Sequence, residues 1–266
     1  MQIADRVFVV TGAGSGMGRE VALQLLGKGA RVAGVDLREE TLAETVVLAR
    51  APEGRMSTHV LDIADRAAVE ALPEQVIAAH GQVDGLLSIA GIIQRFVHVQ
   101  DLSIEEIEHV MAVNFWGTLY LDKAFLPLLT QRPEACLLNV SSMGGLVPVP
   151  GQGAYGASKG AVKLLTETLY AELRDTNVAV TLVFPGGMGT NIASNSGVDA
   201  PTMAAGKEYT TTPVAEASRQ VVEAVEKGTF RVVIGKDAHM LDTVSRVSPT
   251  RAVTMVADRM KKLLRG

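Results

Sequence analysis

Apolar residues gather into short uninterrupted runs along this 266-residue chain. The runs at 7–10, 32–35, 57–61, 85–89, 136–140, 178–184 and 231–234 are of strand length, mostly rich in valine and leucine, and set off by polar or glycine-containing segments. A run without polar alternation is what a strand covered on both faces requires, because successive side chains point to opposite sides of a sheet. Between the runs lie stretches with the 3.6-residue apolar period of helices, the two longest at roughly 104–131 and 155–175. Strand and helix therefore alternate. The pattern predicts a single α/β domain, a doubly wound parallel sheet of about seven strands with helices on both faces.

The first run leads into Thr11-Gly12-Ala13-Gly14-Ser15-Gly16-Met17-Gly18 and then into a helical pattern from 19 to 29. Glycines let the backbone turn tightly, and a helix start offers unpaired N–H groups and a positive dipole end to an anion. Between a strand and a helix, this turn reads as a Rossmann-type dinucleotide cradle, with Gly12, Ser15, Gly16, Met17 and Gly18 facing the cofactor. The second strand ends in Asp36, at about the spacing of the acid that hydrogen-bonds an adenosine ribose. A carboxylate there accepts from the ribose hydroxyls and repels a 2′-phosphate, so NAD is expected over NADP. Arg38 lies within reach of a 2′-phosphate, but a solvated charge opening the next helix with Glu39 and Glu40 is the favoured reading.

Tyr155 and Lys159 fall four residues apart on a helical stretch, so they share a face, and Ser142 lies upstream in Asn139-Val140-Ser141-Ser142-Met143. A cation beside a phenol favours the phenolate and brings an ordinary pKa near ~10 towards neutrality. Tyr155 then exchanges a proton with a substrate oxygen that Ser142 hydrogen-bonds, the division of labour a carbonyl/alcohol interconversion needs.

With these motifs in this order, the chain resembles the short-chain dehydrogenase/reductase family over nearly its whole length. The family's glycine pattern falls on Thr11, Gly12, Gly16 and Gly18, and its active-site tetrad on Asn114, Ser142, Tyr155 and Lys159. The resemblance implies that Lys159 bonds the nicotinamide ribose and that Asn114 holds a water for proton relay. It places an adenine contact at Asp62, with Ile63 beside it, and ribose contacts at Ala90 and Gly91. It also places cofactor contacts in Pro185-Gly186-Gly187-Met188-Gly189-Thr190, where Thr190 would bond the carboxamide or phosphate. A homodimer or homotetramer is implied as well, with the two long helices as the main contact. One departure stands out. Ser88-Ile89-Ala90-Gly91 replaces a pattern with two asparagines, so the brace of that wall must come from elsewhere.

The formal net charge of −4 argues against a nucleic-acid footprint, which needs a concentrated basic face. The lone Cys136 reads as core, and the five histidines show no metal-ligand spacing. No run approaches the ~18 apolar residues of a membrane span and no signal segment is visible, so the cytoplasm is the expected compartment. The ten methionines look dispersed, as adaptable packing residues.

Residues 186–213, dense in Gly, Ser, Thr, Asn and Pro, read as a mobile substrate lid that closes the catalytic domain of residues 1–249. Candidate substrate walls are Ile92, Ile93, Gln94, Arg95 and Phe96, then 143–152, then Met188 and Ile192. Their mostly apolar character suits a hydrophobic ketone or secondary alcohol better than a sugar. Arg95 reads as solvent-facing rather than as an anion clamp, while Gln152 is balanced between a substrate contact and a loop amide. From 250 to 266 a basic amphipathic helix is expected, with Val253, Val256, Met260, Leu263 and Leu264 on its apolar face and Arg251, Arg259, Lys261, Lys262 and Arg265 on the other. Covering the active-site mouth or a neighbouring subunit is favoured over membrane contact. The function so predicted is NAD-dependent hydride transfer on a small-molecule carbonyl or alcohol. The alternatives are an NADP-dependent ketoreductase, a lyase, epimerase or dehydratase on the same fold, and a non-catalytic dinucleotide-binding regulator.

Overall fold

The computed structural model describes residues 1–190, 192–198 and 211–264. Residues 191 and 199–210 of the predicted lid lie outside the described residues, as do Arg265 and the side chains of 262–264 in the tail. Seven strands, β1 (Val7–Thr11), β2 (Arg31–Asp36), β3 (Met56–Val60), β4 (Gly85–Ser88), β5 (Ala135–Val140), β6 (Val178–Pro185) and β7 (Arg231–Ile234), form one sheet. Its order is β3-β2-β1-β4-β5-β6-β7, with every neighbouring pair parallel. Each apolar run expected as a strand is one.

The two-residue period of a strand sorts the core into two halves. Val7 and Val9 point to one face, where they meet Leu86, Leu121, Phe125 and Leu137; Phe8 and Val10 point to the other, with Val21, Leu25, Leu138 and Val221. Helices α1 (Gly16–Gly27) and α2 (Glu39–Ala49) pack on the second face, and α3 (Arg66–His80) on the first. Asp65 starts α3 by accepting from the amides of Ala67 and Ala68 at 2.9 and 3.2 Å. Cys136, in the middle of the sheet, is fully buried, and burial pushes its thiol up to about 12. Its register partner is Gly85, where a Cβ would stand 2.6 Å from the sulfur, so the absence of a side chain there leaves room for the thiol.

The helix expected over 104–131 is divided. Ser103 and Glu106 cap α4 (Ile104–Met111) in a reciprocal capping box, a π-helical turn spans Ala112–Gly117, and α5 (Thr118–Leu129) resumes the α-helix. Asn114 sits in the turn. The remaining helices are α6 (Gly153–Glu172), the short α7 (Ile192–Asn195), α8 (Val214–Lys227), α9 (Lys236–Val247) and α10 (Pro249–Leu264). The predicted tail helix is thus present and starts at a proline, which suits a first helical position. It packs on the same subunit, with Ala252 1% exposed against Val147 and Leu241. No helix among the described residues is long and apolar enough to cross a membrane.

Candidate active site

Strand order reverses between β1 and β4, which leaves a crevice at the carboxyl ends of the strands. The glycine turn forms one wall. Gly12 and Gly16 have φ of 70° and 52°, left-handed values that side chains resist. A Cβ at Gly12 would lie 3.2 Å from the Ala90 Cα, and one at Gly18 would lie 2.3 Å from the Gly12 carbonyl oxygen. The missing side chains therefore let β1 pass close to β4 and let α1 rest directly on the turn.

The segment after β4 is pinned from below and above. The Thr11 hydroxyl accepts from the amides of Ile89 and Ala90 at 3.0 and 3.1 Å. Asn114 accepts from the Ile92 amide at 2.9 Å and donates to both the Ile92 carbonyl and the Ser158 hydroxyl at 3.0 Å. These bonds use the Asn114 side chain to brace the wall, joining the π turn to α6. Where the two asparagines are missing, the bonds from Thr11 and Asn114 hold the segment, and the Ser88 hydroxyl is buried without a hydrogen-bond partner. Asn139 on β5, in register with Ser88, donates to Asp122 at 2.9 Å and to Thr166 at 3.1 Å.

Residues Gly12, Ser15, Gly16, Met17 and Gly18, Ala90 and Gly91, Ser142, Tyr155 and Lys159, and Pro185, Gly186, Met188 and Thr190 all line one cleft of about 210 Å³. Asp36, Asp62, Ile63 and Asn114 do not line it. Asp36 accepts from the backbone amides of Gly14 and Arg38 at 2.9 and 3.2 Å, which fixes its carboxylate beside the turn. Asp62 accepts from the Ala64 amide at 2.8 Å, and the Ile63 side chain is buried against Gly117, so whatever Ile63 offers a cofactor comes from its backbone. Arg38 is exposed yet tethered, donating to Asn195 Oδ1 at 3.0 Å, while Asn195 donates to the Ser15 hydroxyl at 2.9 Å. Asn195 also lines the cleft, and nothing local in its sequence announced that.

A second cavity, of about 390 Å³, opens beside the first. Ile93, Phe96, Met143, Gln152, Met188 and Ile192 line it as expected, whereas Ile92, Gln94 and Arg95 do not. Gln94 is buried and accepts from the Tyr155 amide at 2.7 Å, and Arg95 is paired with Glu106 on the surface. Gln152 donates to the carbonyls of Gln94 and Gly151 at 3.0 and 3.2 Å, leaving its own carbonyl oxygen without a protein partner. Further walls come from α9, which the sequence did not point to, and from α10; together they contribute Met240, Leu241, Met255, Val256, Met260 and also Arg259, expected on the opposite face of the tail helix. Within this one chain, α10 thus lines the cavity that Tyr155 and Ser142 border.

Tyr155 and Ser142 border both cavities. Burial raises the phenol above its ordinary value, and the Ser142 hydroxyl pulls it back down. Lys159 donates to the Val140 carbonyl at 2.9 Å, and burial lowers its ammonium to about 8. The interaction that favours the phenolate here is thus the Ser142 hydrogen bond, because the lysine is turned to the end of β5. Ser141 fixes that strand end to α6 by donating to the Lys159 carbonyl at 2.8 Å.

The family model for short chain dehydrogenase matches residues 6–200. The chain belongs to the short-chain dehydrogenase family. Its similarity to the oxidoreductase SadH of Mycobacterium tuberculosis is 37% identity over 268 residues, covering 97% of this chain and 96% of SadH. A Burkholderia phymatum short-chain dehydrogenase/reductase solved with NAD superposes with a TM-score of 0.85 at 27% identity, over 95% of this chain and 97% of that one. A Burkholderia cenocepacia short-chain dehydrogenase solved with NADP gives 0.81 at 27%, over 96% and 99%. As a short-chain dehydrogenase, the protein is an oxidoreductase of CH–OH groups that uses a nicotinamide dinucleotide.

Proposed function

We propose that this enzyme transfers hydride between NAD(H) and an apolar ketone or secondary alcohol, with Asn114, Ser142, Tyr155 and Lys159 as its working groups. The observation that carries the reading is that Ser142 and Tyr155 stand where the glycine-lined cleft meets the apolar chamber. Proton chemistry there is within reach of a molecule in either cavity.

The cleft suits a dinucleotide: left-handed glycines and the bare start of α1 suit a pyrophosphate, and Thr190 closes over Gly16. Gly12, Ser15, Gly16, Met17 and Gly18 would hold the phosphates, Asp36 and Asp62 the adenosine end, and Ala90, Gly91, Lys159 and the 185–190 segment the nicotinamide end. When bound, the cofactor supplies or accepts the hydride. Tyr155 exchanges a proton with the substrate oxygen at its phenol, and Ser142 hydrogen-bonds that same oxygen as charge develops on it. Lys159, whose ammonium burial lowers to about 8, would donate to a ribose hydroxyl from its place at the end of β5. Asn114 keeps the wall at Ile92 rigid.

NAD is favoured because the Asp36 carboxylate, held by the Gly14 and Arg38 amides, presents negative charge where a 2′-phosphate would lie. The exposed Trp116 and Leu164, on the two helical segments that carry Asn114 and Tyr155, support a homodimer or homotetramer. The test is NADH and NADPH oxidation with apolar ketones by the wild type and Tyr155→Phe. Turnover with NADH should fall by about 10²- to 10⁴-fold in the variant while NADH binding is kept. Preference for NADPH overturns the role given to Asp36, and turnover that survives in Tyr155→Phe overturns the mechanism.

A further inference from the structure

Five of the ten methionines, Met143, Met188, Met240, Met255 and Met260, line the single chamber beside Tyr155. They come from four separate segments: the loop after β5, the loop after β6, α9 and α10. In sequence they look scattered; in the fold they are one surface. Met240 and Met255 are 42% and 38% exposed, although each sits on a helix whose buried positions, Leu241 and Ala252, already serve the core. Apolar side chains left uncovered at a cavity mouth, next to a catalytic tyrosine, gain stabilisation when an apolar molecule covers them.

Methionine is the choice for a wall that must adapt. Its three rotatable bonds and polarisable sulfur fit varied shapes, where leucine or isoleucine would fix one. The chamber is sized for more than a small ketone, since about 390 Å³ is two to three times the ~150 Å³ that admits a benzene ring. The charged residues among the lining are Asp237, whose carboxylate accepts from the Gly187 amide at 2.7 Å, and Arg259 on α10. A polyhydroxylated substrate would leave its own hydroxyls unpaired against the methionine walls.

We infer that the substrate is a bulky apolar ketone or secondary alcohol of about two- to three-ring size, and that the methionines, with α10 as roof, set a tolerant specificity based on size. The inference rests on the proposed function and deepens it: carbonyl chemistry is assigned to Tyr155 and Ser142, size selection to Met240, Met255 and Met260.

The test compares kcat/KM of the full-length enzyme with NADH for one-, two- and three-ring saturated ketones and a polyhydroxylated two-ring ketone. Calorimetric binding of the matching secondary alcohols is run alongside. The two-ring ketone should exceed the one-ring ketone by about tenfold or more, and the hydroxylated one should fall below both. Met240→Ser and Met255→Ser should each shrink the two-ring to one-ring ratio by about fivefold. Met→Leu at the same positions should keep the ratio for some ring shapes and lose it for others. Tyr155-dependent turnover confined to small or hydroxylated carbonyls overturns this inference and leaves the proposed function standing. Methionine-sensitive binding of the two-ring alcohol without Tyr155-dependent turnover overturns the proposed function and, with it, the assignment of that molecule as the substrate. A Met→Leu variant that matches the wild type on every shape overturns the claim of tolerance.

Discussion

Asp122 on α5 is 1% exposed, and Asn139 on β5 is fully buried. One Asp122 oxygen accepts from the Asn139 amide at 2.9 Å, while its other oxygen and the Asn139 carbonyl oxygen have no hydrogen-bond partner. A proton on Asp122 supplies the missing donor, since its O–H can give to Asn139 Oδ1 and close a cyclic acid–amide pair. Burial holds that proton, raising the carboxyl from 3.8 to about 7 against the lowering effect of the Asn139 hydrogen bond. The unfolded carboxyl keeps its ordinary value, so the native state binds the proton more tightly and stability falls as pH rises from 3.8 to about 7. At 1.36 kcal/mol per tenfold, the whole window is worth about 4 kcal/mol, of which roughly 2–3 kcal/mol falls between about pH 5 and about pH 8. Asp122→Asn keeps the shape and puts a permanent N–H where the proton sits, so it should escape this decline. In urea unfolding at fixed protein concentration, the variant should gain roughly 2–3 kcal/mol on the wild type from about pH 5 to about pH 8. A gap that stays constant, or one that opens in favour of the wild type, refutes the protonated pair.

Gly18→Ala forces a Cβ to within 2.3 Å of the Gly12 carbonyl, so α1 must move off the turn; a loss of about 1–3 kcal/mol in thermal unfolding and weakened NADH binding by titration are expected, and unchanged NADH affinity would contradict the cradle. Ser57 Oγ lies 2.8 Å from Nε2 of both His59 and His80, and burial lowers both imidazoles below 6.5. The native state therefore sheds protons that the unfolded chain holds, so this contribution is complete above 6.5 and lost as pH falls towards the lowered values. Acid-side melting curves of the wild type should drop relative to a His59→Gln/His80→Gln variant, and parallel curves would argue against it. Asp84, fully buried, accepts from the Val7 amide at 2.9 Å, Gln82 at 2.7 Å and Arg132 at 2.9 Å. Asp84→Ala should cost about 3 kcal/mol in denaturant unfolding, and a cost below about 1 kcal/mol would mean that water replaces these bonds.

The strands were legible because a sheet covered on both faces leaves uninterrupted apolar runs, and the glycine turn and the Tyr155/Lys159 spacing were legible because their geometry is local. The π turn was hidden inside 104–131, since one extra residue per turn alters neither composition nor the apolar stripe enough to register. Asn114 was named for its chemistry, but its bonds to Ile92 and Ser158 join three segments far apart in sequence. The same distance concealed the methionine chamber and the bridge from Ser15 through Asn195 to Arg38. Arg38, read as a solvated charge, is held at the cleft rim by a partner 157 positions away.

The single thiol gives the central sheet a built-in reporter. Cys136 is sealed beside Gly85 in one half of the core, and its value of about 12 keeps it almost entirely un-ionised at neutral pH. A thiol-directed reagent can react only in molecules whose β5 has come apart, so the labelling rate counts excursions of an interior strand. Chemical silence at that sulfur is a running measure of how tightly the strand that delivers Ser142 stays closed.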